Sequence, residues 1–217
     1  MKENYEDRYR FKLTRRMPVI MRLDGKAFHT LTKRCDKPFD EHLLEAMLAT
    51  TLALLGEIQG SKCAYIQSDE ISILITDFDK LATEAWFDYN IQKMCSVSAG
   101  IASAAFSKRW FPRDSGIAIF DSRVFNIPKE EVCNYFIWRQ QDWTRNSVHM
   151  VAGSHFSHRE LHGKSMQDMH EMLHKVDINW NDFNSKWKNG TFVEGDSFST
   201  PIFTQNREAV EKYLIQE

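Results

Sequence analysis

Long apolar runs are missing from this sequence, and none reaches the roughly 18 residues that a membrane-spanning helix needs. The first ten residues are MKENYEDRYR, and the apolar segment of a secretory signal does not follow this charged stretch. Internal repeats, low-complexity tracts and long linkers are absent from the sequence as well. We therefore expect a globular, cytoplasmic protein that makes no membrane contact.

Cysteine and net positive charge are also scarce. The four cysteines, Cys35, Cys63, Cys95 and Cys133, match no zinc-binding template in their spacing and are expected to be reduced thiols. The 28 Lys and Arg residues are balanced by 30 Asp and Glu residues, which gives a formal net charge of −2. The chain as a whole is therefore not an electrostatic nucleic-acid binder, and any phosphate partner must be bound by local basic clusters.

Apolar and aromatic residues, by contrast, are plentiful. Of the 217 residues 42% are hydrophobic, including 15 Phe and 6 Trp, which is enough for one sizeable core. Their spacing predicts a strand at 17–25, a helix at 39–56, a hairpin at 62–76, a long helix at 83–110 and a strand at 116–128. This β-α-β-β-α-β order is ferredoxin-like, so we predict an α+β fold with helices on one face of an antiparallel sheet.

The remainder of the chain is predicted to be mostly helical. Helices are expected at 129–153 and 165–175 and within 206–217, with a small hairpin whose turn is KNGT at 188–191. We accordingly divide the chain into a core at 1–128 and a helical extension at 129–217, packed together as one globular unit.

Acidic residues stand at two points that this fold brings to one end of the sheet. Asp24 ends the first strand, while Asp69 and Glu70 form the tip of the hairpin. Carboxylates that meet repel one another, so they need raised pKa values or a cation. Oxygen ligands without His or Cys favour Mg²⁺, and Gly25 would allow its carbonyl to approach a metal closely. The spacing alone leaves the alternative open that these are an ordinary Asp-Gly turn and an exposed hairpin tip.

Cations that could meet phosphate groups are scattered through the sequence. Arg22 lies two residues before Asp24 on the same strand face, which favours a carboxylate or phosphate partner. Local basic clusters occupy 33–37, 107–113 and 157–164, and the alternative for each is a solvated or subunit-facing surface. Two histidine pairs at i, i+4 have helical zinc-site spacing but no clear third ligand, so a polar helix surface is the simpler interpretation: His158 with His162, and His170 with His174.

Five segments, taken in order, resemble the tRNA-histidine guanylyltransferase superfamily, the 3′-to-5′ nucleotide polymerases. They read MRLDGKAFHTLTKRCDKPFDE, YIQSDEISIL, FDSRVFNIP, WRQQDWTRNSV and ELHGKSMQDMHEML. The similarity covers about residues 5–195, and the ordered set is more specific than any single motif. The resemblance implies a catalytic palm domain related to template-directed polymerases and nucleotide cyclases.

The resemblance also implies a set of site residues. Its implied catalytic residues are Asp24, Asp69 and Glu70. Two Mg²⁺ ions would be bound by Asp24 and Asp69 with help from the Gly25 carbonyl, and Glu70 matches the acidic residue beside the second ligand. The positions implied around the nucleotide are Arg22, Lys37 and Lys93 at the triphosphate, Ser68 near the phosphates, and Lys26, Ala27, Phe28 and His29 along the pocket. Candidates for contact with RNA or triphosphate are Arg123, Arg139, Asp142, Arg145, Asn146 and Lys164, although Arg139 and Asp142 could equally form an ion pair within their helix.

The implied chemistry uses tRNA together with ATP, GTP and other nucleoside triphosphates. A nucleoside triphosphate first activates the tRNA 5′-phosphate, and the 3′-hydroxyl of an incoming triphosphate then attacks the activated end. Members that add guanosine to histidine tRNA carry HINN where this chain has Thr144-Arg145-Asn146-Ser147. The sequence therefore resembles the bacterial, archaeal and phage-type members, which repair tRNA 5′ ends. Family members are usually homotetramers, so the resemblance also implies a homotetramer. Histidine-tRNA guanylyltransferase proper, or another palm nucleotidyltransferase or cyclase, stays open as an alternative.

Overall fold

The computed structural model describes residues 1–111 and 116–215. Its six strands are β1 (Val19–Gly25), β2 (Ser61–Gln67), β3 (Glu70–Ile75), β4 (Phe120–Asn126), β5 (Thr191–Glu194) and β6 (Ser197–Ser199). The α-helices of this part of the chain are α1 (Phe28–Leu31), α2 (Glu41–Glu57), α3 (Ile91–Trp110), α4 (Lys129–His155), α5 (His158–Leu161), α6 (Met166–His174), α7 (Ser185–Asn189) and α8 (Glu208–Glu211). None of the helices described is long and apolar enough to cross a membrane.

The strands form one antiparallel sheet in the order β4-β1-β3-β2-β5-β6. The first four strands have the order of a ferredoxin-like unit, which confirms the predicted α+β class. Strand β1 lies at the centre of this unit, between β3 and β4. Because β1 and β3 are antiparallel, the end of β1 meets the start of β3, and Asp24 lies directly opposite Glu70.

Side chains alternate between the two faces of the sheet, as the pleat requires. On one face Val19, Met21 and Leu23 join the core beneath α2 and α3. On the other face Ile20 packs with Phe136 of α4. The predicted helices on one face are therefore α2 and α3, while α4 of the C-terminal part covers the opposite face. By alternation, Arg22 and Asp24 lie on the face that α4 covers.

Capping residues set the starts of the core helices. The Asp40 carboxylate accepts a hydrogen bond from the Leu43 N–H at 2.9 Å, so α2 begins immediately after it. Asn90 caps α3 in the same way, with the Lys93 N–H donating at 3.0 Å. The long helix predicted at 83–110 consequently begins only at Ile91, after a short 3₁₀ turn at Trp86–Tyr89.

The small C-terminal hairpin has a different turn from the one predicted. Asn189 ends the short helix α7, and β5 begins at Thr191 after Gly190. A Cβ at Gly190 would lie 2.5 Å from the Tyr65 hydroxyl oxygen, so this close approach requires glycine. The hairpin turn follows Glu194 instead, at Gly195, whose φ is +55°. The hairpin adds β5 and β6 to the edge of the sheet, next to β2.

Candidate functional site

The β2–β3 hairpin ends in a two-residue turn, Ser68-Asp69, between the paired Gln67 and Glu70. Ser68 has a φ of +50°, a left-handed conformation that costs a residue other than glycine about 1–3 kcal/mol. The Gly25 N–H donates a hydrogen bond to the Asp69 carbonyl at 3.2 Å, so the end of β1 is tied to this turn. The fold therefore brings the two acidic loci together, as the strand order predicted.

Asp69 lies close enough to Asp24 to be affected by its negative charge. Burial raises the pKa of Asp69, and the negative charge of Asp24 raises it further. Such a pair is unfavourable without a compensating cation. The described residues contain no group of three or more His, Cys, Asp or Glu arranged for a metal. Two carboxylates and a backbone carbonyl would leave other coordination positions to phosphate oxygens and water, which suits Mg²⁺.

The carboxylate of Glu70 is bound by Arg139. The Nε and Nη2 atoms of Arg139 donate to its two carboxylate oxygens at 2.7 and 2.9 Å, and both side chains are buried. The Arg22 Nε lies 3.8 Å from the same carboxylate. Burial raises the pKa of Glu70, while the charge and hydrogen bonds of Arg139 act in the opposite direction. Glu70, predicted to be catalytic, and Arg139, predicted to contact RNA or triphosphate, therefore form a buried ion pair with each other.

A cluster of hydrogen-bonded polar side chains extends along α4 from Arg139. Arg139 also lies 3.2 Å from Asp142, which is the ion pair within the helix that the sequence allowed. Asp142 accepts further hydrogen bonds from Arg145 at 3.3 Å and from Asn146 at 3.4 Å. Arg145 is more than half exposed, and its contact with Asp142 leaves it accessible to a ligand.

The loop after β1 is packed against the core. Phe28 is almost fully buried, with its ring centroid 5.1 Å from that of Phe106 and 5.0 Å from that of Phe120. A Cβ at Gly25 would lie 2.3 Å from the Phe28 ring, so glycine is required here for packing. The sequence suggested a different reason for Gly25, the approach of its carbonyl to a metal. Ala27 adopts a φ of +55°, and the exposed side chains of Lys26 and His29 flank the buried ring.

Strand β4 contributes an acidic residue that sequence reasoning missed. Asp121 lies directly opposite Asp24 on the neighbouring strand. It pairs with Arg123 at 2.8 Å, and both side chains are about half exposed. Asp121 and Arg123 are two residues apart in a strand and so share the face on which Asp24 lies. That alternation within FDSRVFN was the signal that could have identified it.

Some predicted site residues lie apart from the carboxylates. Strand β3 ends at Ile75 opposite Val19, and α3 begins at the same end of the sheet, so Lys93 is separated from Asp24 by the length of β1, about 20 Å. Lys37 precedes α2. Lys164 lines a separate open cavity of about 470 Å³ with His149, His158 and His162.

Of the basic cluster at 107–113, Arg113 lies outside the described residues.

A ferredoxin-like sheet that carries acidic residues at the end of β1 and at the β2–β3 turn has the architecture of a palm-type nucleotidyltransferase. Residues 1–128 match the family model described as Thg1, tRNAHis guanylyltransferase. The chain therefore belongs to the Thg1 family of tRNA guanylyltransferase-like nucleotidyltransferases.

Individual proteins are similar to this chain over most of its length. An uncharacterized protein of Acanthamoeba polyphaga mimivirus is 25% identical over 225 residues, covering 91% of this chain and 77% of its own length. A bacterial tRNA(His) guanylyltransferase (Thg1)-like protein solved in complex with ATP is 45% identical, with a TM-score of 0.96 over 99% of this chain and 97% of that one. A bacterial Thg1-like protein solved in complex with GTP is 44% identical, with a TM-score of 0.86 over 98% and 96% of the two chains.

Proposed function

We propose that this protein is a magnesium-dependent enzyme that adds nucleotides to tRNA 5′ ends in the 3′-to-5′ direction, using the opposite strand as template. The convergence of Asp24 with Asp69 carries the proposal. The raised pKa of Asp69 supports a cation between these carboxylates, and their oxygen-only ligand set suits two Mg²⁺ ions together with the Gly25 carbonyl. Bound magnesium would neutralise charge on the attacking and leaving oxygens of a phosphoryl transfer.

The reaction we propose has two displacements. An oxygen of the tRNA 5′-monophosphate attacks the α-phosphorus of ATP, which forms a 5′-5′ phosphoanhydride and releases pyrophosphate. The 3′-hydroxyl of the incoming nucleoside triphosphate then attacks the 5′-phosphorus of the tRNA, forms a phosphodiester and releases AMP. A tRNA with a 5′-triphosphate needs only one step, which releases pyrophosphate. In each displacement the protein mainly positions groups and stabilises charge.

The residues around the carboxylates support a nucleotide site. The Arg22 Nε is buried and has no hydrogen-bond partner within the described structure, which suits a guanidinium that receives a phosphate. We propose that the loop carrying Lys26, Ala27, Phe28 and His29 lines the nucleotide pocket, with Lys37 and Ser68 near the phosphates. The solved bacterial relatives with ATP and GTP support the use of both nucleotides.

Two proposals concern how the parts of the chain cooperate. We assign the catalytic core to 1–128, the segment that the family model matches, with 129–217 as an extension that supplies Arg139. Because Lys93 lies at the opposite end of its own sheet, its triphosphate contact would be made to another subunit of the proposed homotetramer. Arg123, Arg145 and Asn146 are exposed polar residues on or near α4 that suit RNA phosphates, and Lys164 lies farther along the same extension.

The segment that replaces HINN favours repair over recognition of the histidine anticodon. The Thr144 hydroxyl donates to the Gln140 carbonyl at 3.0 Å, so it is engaged within α4. The Ser147 hydroxyl donates to the Thr144 carbonyl at 2.8 Å and accepts from the Trp180 Nε1 at 3.1 Å. Two of the four side chains are thus committed to internal hydrogen bonds. Guanosine addition to histidine tRNA is the second candidate, favoured by the name of the family.

An extension assay tests the proposal. Transcripts lacking one or two 5′ nucleotides, with each of the four bases opposite the gap, are incubated with Mg²⁺ and all four nucleoside triphosphates beside full-length histidine tRNA. We expect addition of the nucleotide that is complementary to the opposite base, with little extension of full-length histidine tRNA. Exclusive guanosine addition to the full-length tRNA, whatever base lies opposite, would establish the second candidate instead. Turnover of triphosphates without any RNA would point to a cyclase.

A further inference from the structure

A tryptophan on α4 is firmly held yet widely exposed. Trp138 keeps 49% of its surface exposed. The Arg139 guanidinium carbon lies 4.6 Å from its ring centroid, and the Tyr135 ring meets it edge-on at a centroid distance of 5.8 Å. Arg139 and Tyr135 are themselves buried and hydrogen-bonded, to Glu70 and to Ser72 respectively. The indole therefore has a fixed support and an open surface.

This tryptophan lies at the rim of the candidate site. Tyr135, three residues before it and on the same side of α4, contacts Phe125 of edge strand β4 at a ring-centroid distance of 5.9 Å. Arg139, the next residue, reaches Glu70, which lies opposite Asp24. Trp138 is consequently placed between the outer surface of α4 and the end of the sheet where the acidic residues meet.

Exposed arginines flank the indole. Arg145 follows Trp138 by seven residues on the same helix face, about 10 Å along the axis. Arg123 lies on β4, two residues before Phe125 and on the same strand face. Their carboxylate partners, Asp142 and Asp121, are partly exposed, and such surface ion pairs are weak because water and salt screen them. Both arginines are therefore available to RNA phosphates at little cost.

We propose that Trp138 stacks against the nucleobase of the 5′-terminal nucleotide of the bound tRNA. The proposal rests on the proposed function and adds a positioning residue to it. Aromatic side chains beside cations are common stacking platforms for exposed base faces, and the last base pair of a 5′-truncated acceptor stem presents such a face. An open platform suits RNA, which is held by other contacts, whereas a free nucleotide needs a pocket that buries most of its surface. Stacking would hold the 5′ end in place for attack.

The test is direct binding of tRNA, which requires no turnover. Dissociation constants are measured by fluorescence anisotropy for the wild type, Trp138→Ala, Trp138→Phe and the control Phe198→Ala, which removes a half-exposed aromatic ring on β6. Each protein is tested with a 5′-truncated tRNA that has either an intact or an abasic 5′-terminal nucleotide. We expect Trp138→Ala to weaken binding of the intact tRNA by about 5- to 100-fold, with Trp138→Phe close to the wild type and Phe198→Ala unchanged.

The abasic tRNA isolates the stacking contact. Removing the base should weaken binding to the wild type but not to Trp138→Ala, because the two changes remove the same interaction. If Trp138→Ala lowered the affinity for the intact and the abasic tRNA by the same factor, the proposal would be overturned. Unchanged affinity of Trp138→Ala for the intact tRNA would also overturn it. A smaller oligomer in Trp138→Ala, measured by light scattering, would make the indole a subunit contact and also overturn it. If this coupling is found but the wild type extends no tRNA, the proposed function fails and the stacking contact stands.

Discussion

Arg139 on α4 donates two hydrogen bonds to the carboxylate of Glu70, the first residue of β3. Glu70 follows Asp69 directly and lies opposite Asp24, so this pair fixes the acidic end of the sheet against the helix that covers it. We interpret Glu70 and Arg139 as positioning residues. In this interpretation the metal site is left to Asp24 and Asp69, with the hairpin as its rigid support.

Removing the arginine should destabilise the fold. Arg139→Ala removes both hydrogen bonds from the buried Glu70 carboxylate and, among the described residues, leaves only the Arg22 Nε, 3.8 Å away, near its charge. We expect a loss of about 3–5 kcal/mol in the free energy of unfolding by urea. The double variant Glu70→Gln with Arg139→Gln removes both charges and should recover part of this loss. A single-variant loss below about 1 kcal/mol would contradict the interpretation of Glu70 and Arg139 as a structural pair.

Gly25 should tolerate no side chain. Gly25→Ala places a methyl group against the Phe28 ring, and we expect a destabilisation of about 1–3 kcal/mol in thermal or urea unfolding. The matched control is Gly100→Ala in α3, where a Cβ would meet nothing within 4 Å, and it should stabilise the protein by up to about 1 kcal/mol. Equal effects of the two substitutions would show that packing does not explain Gly25.

Asp69 should make stability depend on pH when no metal is bound. Its folded pKa is raised, so between its ordinary value near 4 and the raised value the folded state binds more protons than the unfolded state. Stability in EDTA should therefore fall as pH rises through that window. Asp69→Asn should remove this part of the slope and be more stable than the wild type at pH 7, yet lose nucleotide addition by at least about 10²-fold. A wild-type slope that survives in Asp69→Asn would refute the assignment.

Salt dependence should reveal the RNA contact of Arg145. If it binds one phosphate, Arg145→Ala should reduce the slope of log affinity for tRNA against log salt by about 0.7–0.9. Arg10→Ala is the control, because Arg10 is a similarly exposed arginine paired with a carboxylate four residues away. It lies in the N-terminal segment, away from the acidic end of the sheet. A change of slope in the control but not in Arg145→Ala would place the RNA elsewhere.

Local patterns predicted the core well because they act over short distances. The spacing of apolar residues identified β1, the β2–β3 hairpin and α2, and the element order then gave the position of Asp24 relative to Asp69. The pairing of Glu70 with Arg139 joins residues 69 apart in sequence, and no local pattern indicates it. Nor does the sequence show that α4 covers the second face, or that Phe28 occupies the space above Gly25.

Lys93 shows that a sequence pattern can also place a residue at a site from which the fold separates it. A family motif placed it at the triphosphate, but the path of α3 separates it from Asp24 of its own chain. A motif gives residue types in order along the chain and carries no information about where the fold places them. Asp121, by contrast, lies beside Asp24 through strand pairing, although the segment FDSRVFNIP that contains it predicted a role only for Arg123.

Metal binding by the two aspartates is tested most directly by a crystal structure with Mn²⁺ and a non-hydrolysable nucleoside triphosphate, in which anomalous scattering locates the metal. We predict two peaks about 3.5–4 Å apart, bridged by the carboxylates of Asp24 and Asp69 and by phosphate oxygens. Metal bound only to phosphate, with the two aspartates turned away from it and from each other, would show that these residues are not the metal ligands.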